Sequence, residues 1–356
     1  MRIFCISLLI VLLHVLSVHA ADHAVILLYH HVSSETPSST SVSPEVFRQH
    51  LDYLGSEGFN VLSLSQVLKT LAKGEAVPDQ TVSITYDDAY QSVFDQAMPM
   101  LRKRNWPFTV FVNTQAIDRG YRNYLGWNKL RLLLDAGAEI GNHSHSHAHL
   151  VRYLDGESEQ QWRTRVKEDM ILAQQRLKGE LGVDVDMFAY PFGEHTPELQ
   201  KIVSTLGYYG IAQQSGAVGH SFDRLAIPRF PMATNYADMN RFFTSVHSRP
   251  LPVTGVTSRP VVQIAGMNSQ YKLAFTLLPG EYRANDLACY SSSGEKLELM
   301  REEGVVANRI SVQLPDWSAG RRKINCTAPS SVKKGVYYWY SHLWLVKHPD
   351  GKWFSE

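Results

Sequence analysis

Between Ala24 and Phe230 the chain alternates apolar, β-branched runs with amphipathic stretches, about seven times over. Ala24 to Tyr29, Phe59 to Leu62, 81–86, Phe108 to Val112, Glu139-Ile140, Val185 to Tyr190, Tyr208 to Ala212 and Leu225 to Phe230 read as strands. Pro44 to Gly58, Ser65 to Leu71, Tyr90 to Arg104, Trp127 to Ala136, Ser158 to Leu181 and Glu198 to Leu206 read as helices. A strand followed by a helix and another strand requires a parallel sheet, because only a crossover returns the chain to the same edge. The sheet is either open or closed into a barrel.

The polar clusters fall at the C-terminal ends of these strands, where such sheets build their sites. Val82 to Tyr86 runs straight into Asp87-Asp88. Two carboxylates at the end of a buried strand face a desolvation cost and their own repulsion. A cation removes that cost for one and leaves the other free as a base. About 55 residues on lies Gly-Asn-His-Ser-His-Ser-His-Ala-His-Leu, 141–150. His143 and His147 have the spacing of two imidazoles on one turn or tight loop, so Asp88, His143 and His147 make a three-ligand set. The remaining coordination positions stay open for water and substrate, and Asp87 is then the base. Read for composition alone, the stretch is a metal-storage tract. Ser144 lacks a nucleophile elbow and reads as an orienting residue.

After His247 the pattern changes. Residues 246–260, with Pro250, Pro252 and Pro260, read as a linker, and 261–356 as about seven short strands of an immunoglobulin-like sandwich. Trp339, Trp344 and Trp353 are either a sugar-binding face or sandwich core, and Trp127 either a groove wall or helix-start core. Arg2, the apolar run Ile6 to Leu16 and Val18-His19-Ala20 form a secretory signal over 1–20, so the mature chain is expected to start at Ala21, in the periplasm or outside the cell. No stretch reaches the roughly 18 apolar residues of a membrane span. In an exported chain Cys289 and Cys326 are most simply one disulfide, joining the two sheets. Lys and Arg total 35 against 34 acids, a net charge of +1. That balance leaves no electrostatic footprint for nucleic acid and fits a neutral substrate better.

Jointly and in order, these residues resemble the polysaccharide deacetylases of carbohydrate esterase family 4, the NodB-homology group. Thr85-Tyr86-Asp87-Asp88-Ala89 is similar to the family's Thr-Phe-Asp-Asp-Gly motif, and His143-Ser144-His145-Ser146-His147 to its His-Ser/Thr-x-x-His. Ala189-Tyr190-Pro191-Phe192-Gly193 is similar to its Arg-x-Pro-Tyr-Gly run, and 107–112 to its strand after the first helix. The resemblance covers roughly residues 24–235 and implies a distorted (β/α)7 barrel as a deacetylase domain over 21–245, followed by the smaller sandwich. It implies a divalent metal, usually Zn2+, and an oxyanion met by the Phe192 N–H. Tyr29-His30 on the first strand looks like the exported biofilm deacetylases of poly-β-1,6-N-acetylglucosamine, which makes His30 the general acid. Ala189 departs from the pattern, since the family's Arg there pairs with the base; Arg229 is the candidate substitute, against a merely solvated strand-end residue. His31, one residue on from His30, should point to the opposite side of the strand.

The expected activity is metal-dependent hydrolysis of N-acetyl groups from a β-linked N-acetylglucosamine polymer, with release of acetate. The alternatives are a chitin-oligosaccharide or peptidoglycan deacetylase, and an inactive glycan-binding protein using the same groove. The C-terminal domain is a candidate for glycan or protein contact.

Overall fold

The computed structural model describes residues 20–258, 260–267, 271–301 and 308–355. The expected signal segment therefore lies outside the described residues, Ala20 excepted. Among the described residues no helix is long and apolar enough to cross a membrane.

A nine-stranded sheet forms the first part. Its strands are β1 (His23–Tyr29), β2 (Asn60–Val61), β3 (Thr81–Tyr86), β4 (Phe108–Val112), β5 (Ala138–Asn142), β6 (Met187–Ala189), β7 (Tyr209–Ile211), β8 (Val218–Gly219) and β9 (Phe230–Pro231). The order is β7-β6-β5-β4-β3-β1-β8, with β2 against β3 and β9 against β1. Every pairing is parallel except β8 with β1. All residues of β3 and β4 are buried, as strands covered on both faces must be.

Several of the helices that cover the sheet start on side-chain caps. Ser43 caps Pro44–Ser56, and Ser63 caps Leu64–Ala72. Ser158 and Gln161 close a capping box on Glu159–Leu181, and Gly182 ends that helix at φ 72°. Trp162, Val166, Met170, Ala173 and Leu177 form its buried stripe.

The sheet curls into a half-barrel and does not close as the expected (β/α)7 barrel. The segment read as a strand over 225–230 bridges the gap with a single contact, Ile227 to Ile211, and then with Phe230 and Pro231 against Leu27 and Leu28. Pro228 and Pro231 have no N–H to donate, so a continuous ladder cannot form there.

Among the described residues the C-terminal strands build two sheets and not a closed immunoglobulin-like sandwich. Six strands, β10 (Arg249–Pro250), β12 (Val262–Ile264), β14 (Ala288–Ser291), β15 (Lys296–Leu297), β18 (Gly320–Pro329) and β19 (Tyr337–Lys347), form one. Four, β11 (Val253–Thr257), β13 (Lys272–Leu277), β16 (Leu299–Arg301) and β17 (Arg309–Gln313), form the other. Residues 246–260, read as a linker, thus carry β10 and β11, and β10 and β12 both run parallel to β19. Successive residues of β19 face opposite ways. Trp344 and Val346 join the core with Phe275 and Val312 of the smaller sheet, whereas Leu343 and Leu345 join Phe188 and Tyr190 of the first part. Cys289 and Cys326 form the disulfide but sit directly opposite each other on neighbouring β14 and β18. The bridge staples one sheet and does not join two.

Candidate active site

The parallel strands end at one mouth, and that is where Tyr29-His30, Asp87-Asp88, Asn113, Asn142-His143, Ala189 and Ala212-Gln213 emerge. β3 stops because Asp88 and Ala89 both take left-handed backbone, φ 73° and 58°. Asp tolerates that region, but a methyl-bearing Ala pays roughly 1–2 kcal/mol there. The reversal brings both carboxylates into the mouth, and the Asp87 N–H donates to the Tyr29 carbonyl at 3.0 Å.

Asp88, His143 and His147 come together, with one ligand atom from each within 4.8 Å of the others. Asp88 Oδ1 lies 3.1 Å from His147 Nε2 and 3.6 Å from His143 Nε2. His143 Nδ1 lies 2.8 Å from the Ala189 carbonyl, which only accepts, so Nδ1 carries the proton and Nε2 turns a lone pair inward. Burial lowers the His143 pKa to about 4, which keeps the ring in the neutral, ligating form. Burial raises the Asp88 carboxyl, but the His147 and His143 imidazoles outweigh it and hold the group far below its usual range. One carboxylate and two imidazoles at this separation fit a single divalent cation. His143 is sealed, whereas His147 is 25% exposed and marks the open side.

The loop that carries the imidazoles is pinned along its length. Asn142 Oδ1 accepts from Ser144 N at 2.8 Å, and Ser144 Oγ accepts from His147 N at 2.9 Å. The Asp169 carboxylate accepts from His145 N and Ser146 N. His145 turns to Thr114 and His149 to Glu194, so neither belongs to the ligand set.

Asp87 lies beside that set, fully buried, and Arg229 meets it with a fork: NH1 to Oδ1 at 2.7 Å and NH2 to Oδ2 at 2.8 Å. Arg229 is also fully buried and not a solvated strand-end residue. It is fixed in turn by Thr85 Oγ1 and by the Ala212 carbonyl. Burial raises the Asp87 carboxyl, and the Arg229 charge, with its hydrogen bonds, more than reverses this. Ala189 offers only its carbonyl.

His30 is half-buried and close enough for its charge to help lower both carboxyls. His31 does not turn away from the site as strand alternation implied. β1 ends at Tyr29, and His31 stacks on Tyr90 at 3.6 Å, within range of the Asp88 charge. Phe192 takes φ 59°, and its ring packs edge-on to His147 and flat on His149. Trp344 is core, fully buried, and the Trp127 indole donates to Asp118.

Several neighbours went unread in the sequence. Asn113 Nδ2 donates to Asp88 Oδ1 at 3.2 Å, and Gln213 Nε2 to Asp87 Oδ2 at 3.3 Å. Burial, and then the Asp88 charge, push the Tyr90 hydroxyl above its ordinary range, so it stays protonated. Asn113 and Gln213 each follow a strand within two residues, and that position was the available signal.

Residues 74–211 match the family model described as polysaccharide deacetylase. The chain is similar to the poly-β-1,6-N-acetyl-D-glucosamine N-deacetylase of Staphylococcus epidermidis, 29% identical over 53% of this chain and 67% of that protein. It is 22% identical to the enzyme of the same name from Escherichia coli, over 58% of this chain but only 36% of that longer protein. Among solved structures it is similar to IcaB from Ammonifex degensii, with 25% identity, a TM-score of 0.54, and coverage of 61% of this chain and 94% of that one. An aspartate and two histidines gathered at the mouth of a curled parallel sheet give that match its chemistry, that of a NodB-type hydrolase of N-acetyl amides.

Proposed function

We propose that this protein removes acetyl groups from a β-linked N-acetylglucosamine polymer of the poly-β-1,6 type. The observation that carries the reading is the pairing of a three-donor cation site with a separate, clamped carboxylate, Asp87, beside it. Two similar proteins named for that polymer, and a histidine at the end of the first strand, support the substrate.

Asp88, His143 and His147 would hold the cation, for which Zn2+ suits the mixed nitrogen and oxygen donors. Such an ion supplies Lewis-acid polarisation of the acetyl carbonyl and acidifies water. Asp87 takes the proton of the attacking water, and the Arg229 fork holds its rotamer for that transfer. The Phe192 N–H meets the developing oxyanion. His30 gives a proton to the departing amine, so acetate and a free glucosamine amine leave. On this reading the chain is exported, with a deacetylase region over 21–245 joined through 246–260 to a β region over 261–356 that contacts glycan or protein.

Acetate release tests this on three substrates: poly-β-1,6-N-acetylglucosamine oligomers, chitin oligomers and peptidoglycan. The β-1,6 oligomers should be turned over fastest. A clear preference for either other polymer would reject the substrate, and no release from any of them would reject the activity.

A further inference from the structure

The C-terminal β18 reaches the mouth of the first sheet. Arg321 NH1 donates to Glu194 Oε1 at 3.2 Å, and the same guanidinium lies 5.6 Å over the Phe192 ring. Glu194 is 1% exposed. Its other oxygen meets His149 Nδ1 at 2.9 Å, and Arg152 approaches to 3.6 Å. One buried carboxylate thus ties β18 to the turn that holds Phe192 and to the loop that carries His147.

Two residues further along β18, Lys323 Nζ donates to the Gln213 main-chain carbonyl at 2.8 Å. The Gln213 side chain donates to Asp87 Oδ2 at 3.3 Å. Gly193 packs tightly here, since a Cβ on it would fall 2.6 Å from Gln213 Cβ. Ser341 of β19 adds a bond from Oγ to the Ser215 carbonyl. Burial, and then the Arg321 charge, lower the Lys323 pKa to about 8.

We propose that β18 supplies two positioning residues to the hydrolytic site: Arg321 holds the Phe192 turn, and Lys323 holds Gln213 and through it Asp87. The proposal rests on the deacetylase reading above. The second core region is then a working part of the site and not only a contact module. Neither residue touches the reacting atoms. Each fixes a group whose direction matters in the transition state, so its loss should fall on kcat and not on KM.

The test uses the full chain loaded with Zn2+. Lys323→Met and Arg321→Gln are each expected to lower kcat about tenfold with KM changed less than about twofold. Metal content should stay at one equivalent, and Tm should stay near that of the parent. Lys323→Arg, which still donates to the Gln213 carbonyl, should recover most of the rate. Hydrogen exchange should quicken at 190–194 in Arg321→Gln and at 213–215 in Lys323→Met, a readout that needs no turnover. Active parent protein with unchanged kcat in both variants overturns the proposal alone. Rate losses that merely track Tm, with no rescue by Lys323→Arg, also overturn it. A parent protein that releases no acetate from any N-acetylglucosamine polymer overturns the functional reading, and the proposal with it.

Discussion

Arg229 closes both arms of its guanidinium on Asp87, 142 residues earlier in the chain, and both side chains are fully buried. A buried carboxylate next to a cation site needs its charge answered and its rotamer held, and a planar fork does both at once. Lysine keeps the charge but loses the fork and the bonds to Thr85 and Ala212. Arg229→Lys should therefore lower kcat by about tenfold or more while KM moves little. Steady-state acetate release checks this, and a variant that keeps the parent kcat would show that Asp87 is oriented without the fork.

Asp88→Ala and Asp87→Asn should fail differently. The first removes one of three donors and should lose both bound zinc and activity. The second keeps shape and donors, so zinc stays while the rate falls by about 100-fold or more. Metal analysis beside acetate release separates them. Full zinc occupancy in Asp88→Ala would count against that ligand assignment.

His50 sets a pH limit on stability. It is fully buried, with Nε2 bonded to the Ala237 carbonyl at 2.7 Å and Nδ1 to the Tyr29 hydroxyl at 2.9 Å. The carbonyl only accepts, so Nε2 carries the hydrogen, and burial lowers the ring's pKa from 6.5 to about 4, which keeps it neutral at pH 7 with Nδ1 accepting from the Tyr29 hydroxyl. Between those values the unfolded chain binds the proton and the folded chain does not. The stabilisation is complete above pH 6.5, drains away as pH falls toward about 4, and amounts to about 3 kcal/mol. Urea titrations at pH 7 and pH 4.5 should show a smaller gap for His50→Gln than for the parent. An equal gap would mean that this ring does not titrate on unfolding.

The Cys289–Cys326 bridge closes a separation of 37 residues. The chain-entropy model gives it about 4 kcal/mol, by restricting the unfolded chain. Cys289→Ala/Cys326→Ala should lower Tm by several degrees without changing kcat in the folded protein. A double variant as heat-resistant as the parent would refute this.

The ligand set was legible because its members are local in sequence: a strand that ends in two acids, and a four-residue histidine spacing. Arg229 was legible only as a candidate, through its place after Pro228 near a late strand. The same Pro228 explains why the strand read there did not form, since apolar spacing predicts extension but not a free donor. The neutral amides of Asn113 and Gln213 carry no motif, and their roles appear only once neighbouring strands are in register. For the C-terminal region, alternation told strand from helix and nothing about partners. Hence the two sheets, the parallel β10 and β12, and a disulfide within one sheet all went unread.

β19 spends its two faces on two different cores, Trp344 and Val346 on one, Leu343 and Leu345 on the other. A strand shared in this way cannot leave one core without opening the other. The halves of the chain should therefore melt together, in one calorimetric transition, although each has its own sheet. A protease cut within 246–260 should not release a stable N-terminal fragment, because that fragment would expose Phe188 and Tyr190 where Leu343 and Leu345 had covered them.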